Sequence, residues 1–229
     1  MRGKLTLSLT PAIPAELDLE SLNVQFEHEP AESIVGWAVD TFGDRLAVAS
    51  SFQDAVLIDL AAQADPNVEV VFVDTGEHFA ETLQTVERVR QRYDLNLHVA
   101  KVERPPVRFP LLDPINCCSF AKVAALEQAL EGKVAWMSGL RRSDAPTRAD
   151  APIVSWDRRG LVKVNPLANW SDADVASYIR DRDVIYNPLL DRGYLSIGCA
   201  PCTRPVQPGE HPRAGRWAGT GKTECGLHI

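Results

Sequence analysis

The sequence predicts an α/β fold: a mostly parallel sheet with helices on both faces, followed by an irregular C-terminal tail. Three observations lead there. Short, near-continuous apolar runs ("RLAVASS", "VEVVFVD", "LNLHVA") alternate with stretches of helical period ("DAVLIDLAAQA", "HFAETLQTVERVRQRY"). Strands apolar at successive positions are buried on both faces, the condition of a parallel sheet covered by helices. Beyond about residue 188 the alternation dissolves into Gly, Pro and Cys.

The elements follow in order. Pro11 and Pro14 and the lack of a sustained period make residues 1–25 an irregular arm. Ile34, Val35, Trp37, Ala38 and Phe42 fall at helical spacing, and Gly43 ends that helix. The runs quoted above then give a β-α-β-α-β series. Pro105, Pro106, Pro110 and Pro114 interrupt it before a helix around 117–130. "KVAWMSGL" reads as a further strand, and "SDADVASYIRDR" as a helix with Ser171 as N-cap. No internal repeat or linker is visible, so one domain over 26–205 with a tail over 206–229 is the simplest organisation of the 229 residues.

Composition excludes some classes. Hydrophobic content of 45% and charged content of 24% are those of a globular protein. With 31 acidic and 24 basic residues the net charge is −7, which argues against non-specific nucleic-acid binding but leaves room for a small anionic ligand. No apolar run reaches the roughly 18 residues of a membrane span, and the N-terminus lacks an h-region with a cleavage site. A cytoplasmic protein without membrane contact is expected. Monomer and homo-oligomer both remain open.

In open α/β sheets, ligands bind at the carboxyl ends of strands. The first such loop, Ser50-Ser51-Phe52-Gln53-Asp54, offers hydroxyls and helix-entry amides to a phosphate or nucleoside, although capping by Ser51 or Asp54 explains the same residues. It is neither a P-loop nor a dinucleotide fingerprint. Val73-Asp74-Thr75-Gly76 ends the second strand. Arg141 and Arg142, after a later strand, are either a solvated surface or an anion site.

Five cysteines are present: Cys117-Cys118, Cys199 and Cys202 in two tight pairs, and Cys225 alone near the C-terminus. Metal binding is favoured over disulfides in a reducing compartment. The adjacent pair does not have the spacing of a zinc knuckle, and four thiolates match the ligand count of a [4Fe–4S] cluster; zinc and free thiols stay open on spacing alone.

The stretches "SSFQDAVLIDL", "VVFVDTGEHF", Cys117-Cys118, "SGLRRSDAPTRA", "VNPLANWSDADVASYIRDRDVIYNPLLDRGYLSIGCAPCTRPV" and "GEHPRAGRWAGTGKTECGLHI" stand in one order over about residues 45–229. In this the chain resembles the assimilatory adenylylsulfate reductases, relatives of the phosphoadenylylsulfate reductases. Gln53 and the His211-Pro212 pair depart from the family pattern. The resemblance implies an adenine-nucleotide α-hydrolase-like fold and the reduction of adenylyl sulfate to sulfite and AMP. It implies Cys225 as nucleophile on a mobile tail, carrying an S-sulfo group that thioredoxin or a glutaredoxin-like reductant discharges. It further implies a [4Fe–4S] cluster on Cys117, Cys118, Cys199 and Cys202. Lys122, Arg213, Arg216 and the Arg141/Arg142 pair would serve the anionic end of the substrate, with nearby arginines favouring the Cys225 thiolate. Two alternatives are a phosphoadenylylsulfate reductase, whose branch generally lacks both cysteine pairs, and a non-catalytic zinc or iron–sulfur redox sensor.

Overall fold

A computed structural model describes residues 17–103 and 117–227, with the backbone alone for Cys117 and Ser119. Its first element corrects the sequence expectation. Within the segment read as an irregular arm, Leu19–Phe26 forms a helix, α1, capped by Asp18, whose Oδ1 accepts the Ser21 N–H at 3.1 Å. Residues 1–16 lie outside the described residues. An eight-residue helix is marginal by propensity; here a distant contact holds it. The Asn23 amide donates to the Val154 carbonyl at 2.7 Å and accepts the Val154 N–H at 3.0 Å, and Phe26 meets Trp37 edge to face at 5.1 Å.

The remaining elements are α2 (Ala31–Phe42), β1 (Leu46–Ala49), α3 (Val56–Ala64), β2 (Glu69–Asp74), α4 (Ala80–Tyr93) and β3 (Leu97–Lys101). A π-helical turn, Cys117–Ala121, then runs into α5 (Lys122–Ala129), followed by β4 (Ala135–Ser138), β5 (Val154–Trp156), β6 (Val162–Val164) and α6 (Asp172–Arg182). Ser171 caps α6 as expected, in a reciprocal box with Asp174. The six strands are ordered β3-β2-β1-β4-β6-β5, and all neighbours are parallel except β5 against β6. That closing hairpin is not legible in the sequence, because three-residue strands carry no measurable period.

Alternate strand positions feed two cores. Val48, Val70, Phe72 and Met137 pack with α2, α3 and α4, whereas Ala47, Val71, Val73 and Trp136 pack against α5. Burying each large side chain stabilises the fold by about 1.5–3 kcal/mol before entropy is counted. One polar knot ties three helices together on the first face. The buried Asp59 of α3 accepts hydrogen bonds from Tyr93 of α4 and Tyr178 of α6, both at 2.8 Å. Burial and the Asp59 carboxylate push both phenols above the ordinary tyrosine range.

Candidate active site

Because β2, β1 and β4 are adjacent and parallel, the loops that follow them share one edge of the sheet. The chain turns to opposite sides after β1, and the crevice that opens there is the expected ligand position in such a sheet. A cleft of about 500 Å³ lies at this point, bordered by Ser50, Ser51 and Asp54 from the first loop. Ser50 Oγ accepts the Phe52 N–H at 3.1 Å, and Asp54 Oδ1 accepts the Val56 N–H at 3.1 Å, so turn-making and lining are done by the same residues. Burial raises the Asp54 carboxyl above its ordinary value. Phe52 adopts φ +54°, costly for an L-residue, and is held there by full burial and an edge-to-face contact with Phe72 at 5.4 Å. Gln53, the departure from the family pattern, is spent on structure: its Oε1 accepts the Ile197 N–H at 2.9 Å, drawing the cysteine-bearing 197–202 loop to the β1 edge.

The two adjacent arginines separate. Arg141 lines the cleft, bridges Asp144 and Asp172 at 2.8 Å each, and keeps Nη1 buried without a hydrogen-bond partner. Arg142 is not brought to the site. Its guanidinium is consumed by Glu27, Asn169 and the Ala151 carbonyl, fastening the end of α1 to the β4–α6 region. The extended backbone at Arg141 sends neighbouring side chains apart, so only one could face the ligand. A third arginine, Arg148, was not singled out by the sequence reading, although it ends the same "SGLRRSDAPTRA" stretch; it is buried and lines the cleft.

The C-terminal tail enters this cleft. The Gly226 N–H donates to the Cys118 carbonyl at 3.2 Å, and Cys225 is buried beside Cys118, Cys202, Trp217 and Leu227. Its neighbour Glu224, also missed from sequence, is gripped from three directions. Arg148 donates Nε and Nη2 to its two oxygens at 2.8 and 2.7 Å, Thr147 donates at 3.0 Å, and Arg213 at 3.1 Å. A file of alternating charges results: Asp172, Arg141, Asp144, Arg148, Glu224, Arg213. Arg216 lies over the Trp217 ring at 4.4 Å, with its Nη1 donating to the Ile197 carbonyl at 3.2 Å. Lys122, the first residue of α5, and His78, also unforeseen, complete the floor. In the docked position the contact with Cys118 and burial push the Cys225 thiol above its ordinary value, and the charge of Lys122 opposes them.

The cysteine pairs converge on the same wall. Cys118 and Cys199 are buried and Cys202 is half-buried, all as free thiols, and Thr75 Oγ1 lies 3.1 Å from Cys199 Sγ. The charges of Cys199 and Cys118 raise the Cys202 thiol further, after burial itself. Among the described residues no three His, Cys, Asp or Glu side chains converge on one metal-ion position, and the Cys117 side chain is not among those residues. The surroundings nonetheless fit an anionic group held by thiolates. Arg216 Nε and Trp217 Nε1 are buried donors without partners, and such orphans are rare unless something accepts from them. A second cavity of about 400 Å³, beyond Arg148, is bordered by Trp136, Arg159 and Lys163 and by none of the sequence-predicted residues.

A profile of the phosphoadenosine phosphosulfate reductase domain matches residues 45–205, the span that carries the sheet, most of the cleft wall and both cysteine pairs. The chain belongs to that family. Among its relatives, proteins called adenosine 5′-phosphosulfate reductase in Mycolicibacterium smegmatis and Streptomyces coelicolor are 48% and 49% identical. They cover 87% and 89% of this chain and 88% and 90% of their own length. A similar solved structure is a phosphoadenylyl-sulfate reductase from Candida auris in complex with phosphate, with TM-score 0.70 and 29% identity over 81% of this chain and 96% of that one. Candida glabrata FMN adenylyltransferase shares the fold at 15% identity with TM-score 0.61. No helix among the described residues is long and apolar enough to cross a membrane.

Proposed function

We propose that this chain reduces adenylyl sulfate to sulfite and AMP in sulfate assimilation, in the cytoplasm, with thioredoxin or a glutaredoxin-like protein as electron donor. The observation that carries this reading is the burial of Cys225 in a nucleotide-sized cleft at the switch point of the sheet, beside Lys122 and among Arg141, Arg148, Arg213 and Arg216. The Cys225 thiolate attacks the sulfuryl sulfur of adenylyl sulfate, the bond to the AMP phosphate oxygen breaks, and AMP leaves with that electron pair. Cys225 then carries an S-sulfo group. A thiolate of the reductant attacks Cys225 Sγ, sulfite leaves with the S–S bonding pair, and the second thiol of the reductant resolves the mixed disulfide. Both electrons come from the reductant dithiol.

The cationic side chains offset the repulsion between thiolate and an anionic substrate. Cys117, Cys118, Cys199 and Cys202 would hold a [4Fe–4S] cluster, supported by the buried thiols and the orphaned Arg216 and Trp217 donors. These cysteines would thereby tie the α5 entrance to the 199–202 loop, and a cluster held there would supply local charge near Lys122.

The 3′-phosphorylated nucleotide is the rival substrate, since the family name and the Candida auris relative carry it. The four paired cysteines and the higher identity to relatives called adenosine 5′-phosphosulfate reductases favour adenylyl sulfate. Sulfite release from the two nucleotides, compared as kcat/KM with reduced thioredoxin, decides it. A preference for the 3′-phosphorylated nucleotide overturns this choice, and no release from either leaves the redox-sensor reading.

A further inference from the structure

We infer that Glu224 is a positioning residue, a carboxylate latch that holds Cys225 in the cleft for attack and must release before the reductant can reach it. The inference rests on the reading of Cys225 as nucleophile. Glu224 is the residue immediately before the thiol and is itself buried. Its two oxygens accept four hydrogen bonds, a bidentate fork from Arg148 and single bonds from Thr147 and Arg213. Among the described residues after it, the Gly226 N–H donates to the Cys118 carbonyl at 3.2 Å, Cys225 Sγ lies 3.9 Å from the same carbonyl, and Leu227 packs against the apolar side chains around α5. Glu224 adds the charged anchor to these contacts. Arg148 is in turn held by Asp144, which also pairs with Arg141, so the latch is seated on the loop after β4 rather than on the tail. A paired buried carboxylate suits a part that must hold firmly and still let go: released, both the carboxylate and the arginines regain solvent, which an apolar anchor would not.

The test reads Cys225 accessibility in the full-length protein, without nucleotide or reductant. Iodoacetamide is added, samples are quenched over time, and alkylation of the peptide containing Cys225 is followed by mass. Breaking a charge-assisted contact shifts a docking equilibrium about tenfold or more. Glu224→Gln and Glu224→Ala are therefore expected to alkylate at least about tenfold faster than wild type, and Glu87→Gln, which removes an exposed carboxylate paired with Arg90 of its own helix α4, at the wild-type rate. Arg148→Ala separates undocking from simple electrostatics. Removing a cation near the thiol would by itself slow alkylation, whereas loss of the latch speeds it. The double variant Arg148→Ala/Glu224→Ala is expected to gain less than the product of the two single effects, because both remove one interaction.

A positioning role also predicts a split between half-reactions. Glu224→Gln forms the S-sulfo group from adenylyl sulfate at least about tenfold more slowly in a single turnover, yet thioredoxin discharges a preformed S-sulfo group no more slowly than in wild type. Alkylation of Glu224→Gln within about twofold of wild type, or slower alkylation of Arg148→Ala, overturns the latch. Because alkylation needs no substrate, that outcome leaves the proposed reaction untouched; absence of sulfite release, with Glu224→Gln alkylated fast, instead overturns the reaction and with it the latch's role in attack, leaving a docking contact alone.

Discussion

At the residue scale, chemistry is assigned by what each side chain has left to give. Cys225 is buried beside Cys118, Cys202 and Trp217 on the wall of the cleft, where a nucleophile would meet a bound nucleotide. Cys225→Ser is expected to bind nucleotide as wild type does but to release no sulfite, since an alcohol of far higher pKa is a poor nucleophile. Incubation of the wild type with adenylyl sulfate and no reductant should leave one S-sulfo group on the peptide containing Cys225, and a label on any other cysteine rejects the mechanism. Arg141 and Arg142, adjacent in sequence, should part company in kinetics. Arg141→Ala loses about ten- to a hundredfold in kcat/KM, the worth of a charge-assisted contact of about 1.5–3 kcal/mol. Arg142→Ala leaves kcat/KM within about threefold and instead lowers thermal stability, because it unties α1 from the Asn169 loop. A melting curve and a saturation curve on the two variants check both halves.

At the element scale, the tail passes through one position that only glycine allows. A Cβ on Gly215 would run into the Arg204 carbonyl. That contact is with backbone, which cannot step aside. Gly215→Ala is expected to detach the 204–217 turn, withdrawing Arg216 and Trp217 from the cysteine wall. The proposed cluster would then become labile, measured as faster loss of visible absorption under a chelator; iron retention equal to wild type contradicts this. Among the helices, Asp59 concentrates stability in a single carboxylate. Tyr93→Phe or Tyr178→Phe removes one donor each and costs about 1 kcal/mol in urea unfolding. Asp59→Ala, which strands two buried phenols, costs more than either alone.

At the scale of the whole molecule, parallel strands, tail and cysteine loop meet over one cleft, so ligand binding is coupled to global stability. AMP at about a hundred times its Kd stabilises the folded state by about 2.7 kcal/mol. In a chain of this size that raises Tm by roughly 5–10 °C. A thermal-shift titration checks it, and no shift at saturating AMP would argue against a nucleotide site in the cleft. The same topology brings together cysteines eighty residues apart in sequence: Cys118 and Cys202 pack in one cluster with Trp217 and Cys225, and Thr75, just after β2, touches Cys199.

The sequence by itself determined the α/β class, the strands and helices from α2 to β4, the helix α6 with its Ser171 cap, and the family. Those signals are local: apolar period, capping chemistry and contiguous motifs survive in one dimension. It also named Cys225, Lys122, Arg141, Arg213, Arg216, Ser50, Ser51 and Asp54, which all border the cleft. Only the tertiary structure decided the rest. Helix α1 exists because Asn23 pairs with Val154 across 131 residues, a contact no local window contains. The β5–β6 hairpin is too short to announce itself. Arg142 faces away because extended backbone alternates its side chains, and two adjacent arginines look alike until the chain is folded. Arg148 and Glu224 form a buried bidentate ion pair at the site, yet each reads alone as an ordinary surface charge. Their meaning is a distance between residues 76 positions apart, and distance is what folding supplies.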